Sequence, residues 1–310
     1  MNPLLEITLL GTGGMMPLRD RALASAMIRH QGKCVLIDCG EGTQIAARQA
    51  GFSFKPIDLI CLTHFHADHV IGLAGLLLSM GNEGRTDPVT ILAPAGAREV
   101  VQSLCVVAPE LLFPLEIVEL EEREQTHELA GFTITSFPLR HGVPCSGYSF
   151  YLPRSARFDA SRAQALGVPQ KLWSTLQSGH DAESDGRVFR AANVLGPARR
   201  GIRVTYATDT RPVPAIWQVG KNSDLMVLEG MYGSNEKRGK ALATGHMTFP
   251  EAAKIAARAE AARLWLTHYS PSLPDPENYL ADILPIFPNA ECGFDAKTIT
   301  LNFPQEESDQ

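Results

Sequence analysis

The chain has 310 residues, 45% of them apolar, and a formal net charge of −6. Those figures fit a globular protein with a real core, built as one large domain or two small ones, and argue against a protein that is basic all over. No apolar run reaches the ~18 residues that a membrane-spanning helix needs, and no basic segment followed by an apolar run opens the chain, so neither a membrane partner nor a secretory signal is expected.

Short apolar segments bounded by Gly or polar residues predict strands at Glu6–Leu10, Ala24–His30 and Cys34–Ile37. A helix is expected over Thr43–Ala50, a strand over Asp58–Thr63 and a helix over Val70–Met80. A strand at Val89–Ala93 and a helix at Ala95–Leu104 come next, then strands at Leu115–Leu120, Phe132–Phe137 and Tyr148–Leu152. From Pro153 to Pro197 polar residues dominate and the periodicity is lost, apart from two short helical stretches at Asp159–Leu166 and Gln170–Leu176. This segment reads as an arm inserted into a single domain spanning 1–310. Strands resume at Ile202–Ala207 and Asp224–Glu229. Thr248-Phe249-Pro250-Glu251 has the form of a capping box with Pro just inside the helix start, for a helix from Phe249 to Ala262. A strand at Leu264–Thr267, a helix at Glu277–Phe287 and a strand at Thr298–Phe303 complete the order, with a frayed tail at 305–310. Strands with helices between them predict a layered α/β sandwich whose site lies along one edge.

The charge is unevenly spread. Between Tyr151 and Arg203, nine basic and four acidic residues leave the segment at +5, so the rest of the chain carries −11. Such asymmetry suggests an anionic partner for the arm. The six cysteines, Cys34, Cys39, Cys61, Cys105, Cys145 and Cys292, include no C-x-x-C pair. Free thiols in a reducing compartment, the cytoplasm, are the expectation, rather than a disulfide framework or a zinc ribbon.

The chemistry concentrates in Thr63-His64-Phe65-His66-Ala67-Asp68-His69, the pattern H-x-H-x-D-H. Four imidazole or carboxylate groups at the exit of an apolar strand are a poor choice for packing, because each would need a buried partner, and a good one for a divalent metal. They cannot all serve one ion, since adjacent side chains diverge. Two metals then need further ligands, and His141, Asp209 and His268 each follow an apolar strand. His30, His127 and His180 are isolated and read as surface or loop residues. Gly11, Gly13 and Gly14 read as a tight turn, and Asp38 as a structural acid behind the ligands.

With these residues in place, the chain resembles the metallo-β-lactamase superfamily and, within it, the short form of the ribonuclease Z family. The resemblance runs through Leu10-Gly11-Thr12-Gly13, Asp38–Gln44, the histidine motif with Gly72-Leu73, His141-Gly142, Leu195-Gly196-Pro197, Asp209-Thr210-Arg211-Pro212, Glu229, His246 and Thr267-His268. It implies an αββα sandwich and an endonuclease that removes 3′ trailers from tRNA precursors. It implies two zinc ions, with manganese an alternative: His64, His66, His141 and Asp209 for one, and Asp68, His69, Asp209 and His268 for the other. Asp68 would orient the attacking hydroxide and His246, held by Glu229, would protonate the departing 3′-oxygen. The arm would grip the tRNA, and in a homodimer it would serve the partner's site. Where the family reads P-x-K-x-R-N, this chain has Pro17-Leu18-Arg19-Asp20-Arg21-Ala22, and Met247 stands in the family's His-Ser-Thr triplet. The neighbouring expectation is a related hydrolase of a smaller phosphodiester or another ester.

Overall fold

The computed structural model describes residues 4–108 and 110–304, so the tail at 305–310 lies outside the described residues. Among the described residues two compact units form, one from 4–151 with 203–302 and one from 152–202 with 303–304.

In the first unit, strands β1 (Leu5–Gly11), β2 (Ser25–His30), β3 (Lys33–Ile37), β4 (Ile57–Cys61), β5 (Val89–Pro94) and β6 (Leu115–Leu120) come first in the chain. Strands β7 (Gln125–Leu129), β8 (Phe132–Pro138) and β9 (Ser146–Arg154) follow, the last carrying the chain into the second unit. That unit holds β10 (Ala182–Ser184) and β11 (Arg187–Phe189), and β12 (Arg199–Ala207) leads back. Strands β13 (Leu225–Glu229), β14 (Leu264–Thr267), β15 (Ala290–Cys292) and β16 (Thr298–Leu301) close the list. Two seven-stranded sheets result, ordered β16-β1-β2-β3-β4-β5-β6 and β15-β14-β13-β12-β9-β8-β7.

Strands β3 to β6 run parallel, as do β12 to β15. Parallel strands covered on both faces read as continuous apolar runs rather than alternating ones, which is why β4 and β13 are legible as unbroken hydrophobic segments. The first sheet is covered outside by α1 (Thr43–Gln49), α3 (Leu73–Asn82) and α4 (Ala97–Leu104), whose apolar faces join Leu36, Ile60 and Ile91. The second is covered by α7 (Pro214–Val219) and α9 (Phe249–Arg258), packed on Met226, Leu228 and Leu266. Between the sheets, the buried Tyr148 hydroxyl of β9 donates toward the carbonyls of Leu62 (2.6 Å) and Leu92 (3.1 Å). A buried phenol needs such a partner, and this one ties the exits of β4 and β5 to the facing sheet. The layers are therefore helix, sheet, sheet, helix.

Several boundaries differ from expectation. The helix predicted over Val70–Met80 is two helices, α2 (Ala67–Val70) and α3, where the Gly72 N–H bonds the Cys39 carbonyl (3.0 Å) instead of a carbonyl within the helix. A Cβ there would sit 2.1 Å from the Gly40 carbonyl oxygen. Helix α9 stops at Arg258, not Ala262, where Glu260 takes a left-handed φ of 53°. The helix predicted at Glu277–Phe287 is instead a 3-10 stretch at Pro276–Asp282. Strands β7, β10, β11 and β15 and helices α7 and α8 (Arg238–Thr244) escaped sequence reading.

In the second unit, α5 (Ala160–Ala165), α6 (Trp173–Gln177) and the β10–β11 hairpin close around Ala163, Val168, Leu176, Phe189 and Val194.

Candidate metal centre

Ligating side chains gather where parallel strands end, the usual place for a site in an α/β sheet. Strand β4 leads into Thr63–His69, and β12, β13 and β14 lead into Asp209, Glu229 and His268. Ala207 pairs with Leu228 and Glu229 with Thr267, so these three groups leave the second sheet at one level. His141 enters from the segment after β8, where Arg211 N bonds the Arg140 carbonyl.

The histidine loop is anchored from behind by Asp38, which is fully buried. Its carboxylate accepts from Thr63 N (2.7 Å), from the Thr63 hydroxyl and from His69 Nδ1 (2.9 Å). With Nδ1 so engaged, Nε2 of His69 is free to face the site, the arrangement by which an outer carboxylate fixes an imidazole tautomer. Cys39 N bonds the His69 carbonyl at 2.7 Å, and a Cβ at Gly40 would lie 2.0 Å from the Asp68 carbonyl oxygen, so no side chain fits there. Asp38, Asp209 and His268 all adopt left-handed φ values, of 58°, 54° and 57°. Such backbone costs roughly 1 kcal/mol or more per residue and persists where surrounding structure imposes it, typically at functional sites.

Two groups of donors form around Asp209. In the first, His64 Nε2 lies 3.0 Å from His66 Nδ1, which lies 3.3 Å from His141 Nε2. Asp209 Oδ1 is 3.9 Å from both His64 Nε2 and His141 Nε2. In the second, His69 Nε2 and His268 Nε2 are 3.2 Å apart, and Asp209 Oδ2 lies 3.3 and 3.2 Å from them. Asp68 Oδ2 completes this group at 3.6 and 3.7 Å from the same nitrogens, and accepts the Met15 N–H at 2.7 Å. The structure thus brings together all seven residues singled out from the sequence as metal ligands.

Beside them, His246 Nδ1 lies 3.0 Å from Glu229 Oε2 and 3.8 Å from Asp209 Oδ1. Glu229, fully buried, also accepts from Met247 N and Thr210 N. The Arg211 guanidinium holds the His246 carbonyl and pairs with Glu251, which forms the capping box of α9 with Thr248. The helix cap expected from the sequence therefore also braces the loop that carries His246. On the other side, a Cβ at Gly245 (φ 76°) would lie 2.9 Å from His141 Nδ1, and the Gly245 carbonyl faces that nitrogen at 3.4 Å.

The electrostatics are those of a site built around positive charge. Among the described residues, the ion pairs of Asp38, Asp68, Asp209 and Glu229 are all with histidines. Burial disfavours the charge of Asp68 and Asp209, yet hydrogen bonding to His268 and the charge of His69 hold Asp68 well below the usual carboxylate range, and His268 and His69 do the same for Asp209. Burial likewise opposes an imidazolium at His69, but Asp209 and Asp38 lift it to about 10, and Glu229 lifts His246 to about 9 against burial. Burial and the charge of His69 push His64 well down. A cation other than a proton fits this set on direct geometric grounds. Asp209 Oδ2 is buried and makes no hydrogen bond, although two ring nitrogens lie within 3.3 Å. Ring nitrogens crowded within 3.0–3.3 Å of one another beside a buried, unbonded carboxylate oxygen are what a metal would relieve.

The residues open a cleft of about 270 Å³ lined by Met15, Tyr232, Lys240 and Thr244 as well as site residues. Sequence reading missed these four, because nothing in their local pattern marks a wall contributed by separate loops. One departure from the family pattern proves to be internal, and a residue that keeps the pattern anchors its loop. Met247 is buried in the core cluster of the second sheet. Arg21 donates to the Leu273 (2.9 Å) and Pro274 (2.7 Å) carbonyls and stacks on Tyr269, which holds the Pro17–Ala22 loop down.

A family model described as anti-Pycsar protein Apyc1 matches residues 5–160, and one described as a β-lactamase superfamily domain matches residues 168–269. Curated relatives named ribonuclease Z, from Agathobacter rectalis and Lachnoclostridium phytofermentans, are 49% and 50% identical, each over 98% of this chain and the whole of the relative. Among solved structures, the short form of human tRNase Z superposes with a TM-score of 0.69 at 23% identity, covering 97% of this chain and all of that one. The metallo-β-lactamase fold protein YhfI of Bacillus subtilis gives 0.69 at 18% identity, over 96% and 99%. The four-layer sandwich is thus the metallo-β-lactamase fold.

Proposed function

The chain belongs to the ribonuclease Z family, and from that membership we propose that it is a zinc-dependent endoribonuclease that removes 3′ trailers from tRNA precursors, leaving a 3′-hydroxyl and a 5′-phosphate. The observation that carries the chemistry is the division of Asp209, one oxygen toward His64 and His141 and the other, buried and unbonded, toward His69 and His268.

His64, His66 and His141 with Asp209 Oδ1 would hold one ion, and Asp68, His69 and His268 with Asp209 Oδ2 the other. Asp68 and Asp209 supply the anionic donors of the two groups, while Asp38 and Glu229 back the imidazoles of His69 and His246. Imidazole and carboxylate donors suit zinc, and manganese is compatible with the same set. When bound, such a pair supplies an activated water and neutralises charge developing at phosphorus. The chain's own residues supply the rest. Asp68, fixed by the Met15 N–H, orients the nucleophile. Glu229 engages Nδ1 of His246 and leaves Nε2 to deliver a proton to the departing 3′-oxygen. The exposed Arg162, Lys171, Arg187 and Arg190 of the second unit contact the tRNA backbone, a sequence-independent and salt-sensitive grip. Two chains act as a homodimer in the cytoplasm, in keeping with the family resemblance and with six unpaired thiols.

The test is incubation of the zinc-loaded protein with a 3′-extended tRNA precursor and a small chromogenic phosphodiester, with Asp68→Ala as control. Cleavage after the discriminator base, lost in the control, is expected, together with two metal equivalents per chain by elemental analysis. Hydrolysis of the small ester with the precursor left intact would sink the tRNA reading and favour a smaller phosphodiester.

A further inference from the structure

The cleft at the metal centre has one cation other than histidine among its described lining residues, Lys240. It belongs to α8, the helix that ends at the left-handed Gly245 (φ 76°) and delivers His246. The Lys240 ammonium lies 5.4 Å from the centre of the Tyr232 ring, and the Tyr232 hydroxyl meets Thr244 Oγ1 at 3.3 Å. Thr244 Oγ1 in turn donates to the Lys240 carbonyl at 3.0 Å. Tyr232 is itself nearly buried and bonded on both sides of its backbone, to Met247 and Phe249. A fixed aromatic face attracts an ammonium and limits where it can swing. Among the described residues no carboxylate pairs with Lys240, although it is exposed, whereas Arg238 two residues earlier lies 3.3 Å from Glu251. An unpaired lysine steered into the cleft that the metal ligands line is arranged for a second anionic group, not for fold stability.

The scissile phosphate belongs to the donor groups around Asp209, so Lys240 is available to a neighbouring phosphate. Its side of the cleft is set by His246, which follows on the same segment and serves the leaving 3′-oxygen. The phosphate nearest that oxygen along the chain is the one on the 5′ side of the nucleotide that keeps the new hydroxyl. We propose that Lys240, steered by Tyr232, binds the phosphodiester one link upstream of the cleavage site and so sets the register of the RNA on the metal centre. This rests on the reading of the chain as an RNA phosphodiesterase.

The experiment crosses Lys240→Ala with precursors that carry a single neutral methylphosphonate, one link or three links upstream of the cut, each with 2′-deoxyribose at the modified nucleotide. A charge-assisted contact of this kind is worth about 10- to 100-fold. With the all-phosphate substrate, Lys240→Ala is expected to lose that much in kcat/KM, mostly through KM, with partial rescue by Lys240→Arg. The slope of log Kd against log salt should fall by about one contact. With the neutral link adjacent to the cut, wild type should fall to the level of Lys240→Ala and the variant should lose nothing more, while the neutral link farther upstream should leave the difference intact. An equal loss by the variant on all three substrates would overturn the proposal by assigning Lys240 a merely structural role, as would an unchanged salt slope. If wild type hydrolyses a small phosphodiester but no precursor, the functional reading itself fails, and the proposal with it.

Discussion

The two donor groups share Asp209 but differ in what stands behind them. In the first, His66 is exposed and His141 half-buried, and the ring nitrogens pointing away from the site meet neutral groups. These are the Thr63 hydroxyl at 3.1 Å from His64 and the Gly245 carbonyl at 3.4 Å from His141. In the second, His69 and His268 are each 1% exposed, and His69 is backed by the buried Asp38 carboxylate at 2.9 Å. A carboxylate behind an imidazole raises its basicity, and burial strengthens every charge interaction in the group. The second group should therefore hold its ion more tightly and the first should exchange it.

The largest effect expected is from the residue common to both. Asp209→Asn weakens both groups at once, so kcat/KM should fall by more than the roughly 10⁴-fold that loss of a proton-transfer group can cost, and bound metal should fall in parallel. Retention of two metal equivalents would break the assignment of Asp209 as the bridge. Next, His246→Ala should lower kcat by about 10²–10⁴-fold while leaving metal content intact, since His246 Nδ1 is engaged by Glu229 at 3.0 Å although it lies 3.8 Å from Asp209 Oδ1. Loss of metal in this variant would place it among the ligands instead. The comparison itself is sharpened by Asp38→Asn, which should weaken only the second group, by about 10- to 100-fold, visible as a changed visible spectrum of the cobalt-substituted protein. An equal effect on both ions would show that the backing charge is not what distinguishes them. The smallest effect is at the brace. Thr248→Ala should cost about 1 kcal/mol of stability by urea unfolding, with only a modest drop in turnover through Glu251 and Arg211.

The same contrast governs how much could be read from the sequence. His64, His66, Asp68 and His69 lie within six residues at the end of an apolar strand, and no packing argument competes with a metal there. His141, Asp209 and His268 were visible as strand exits; for Asp209 and His268 this is because parallel strands buried on both faces write themselves as plain hydrophobic runs, whereas the antiparallel β8 before His141 shows alternating burial. The backing groups are harder. Gly245 acts through a backbone carbonyl and Met15 through a backbone N–H, and neither has a side-chain signature. Strand β7 was missed because it is a half-exposed, polar edge. The β10–β11 hairpin was missed despite its Asp185-Gly186 step, both residues at positive φ, which is the chemistry of a tight hairpin turn. Helices α7 and α8 are too short to show a helical period, and with α8 went Lys240.

The most direct measurement is a metal titration of the chelator-stripped protein, followed by calorimetry and by cobalt absorption, for wild type and for Asp38→Asn. Two equivalents should bind in resolved steps, with Asp38→Asn weakening the tighter step and bringing the two together. A single equivalent, or two steps indifferent to Asp38, would contradict a centre of two unequal ions divided by Asp209.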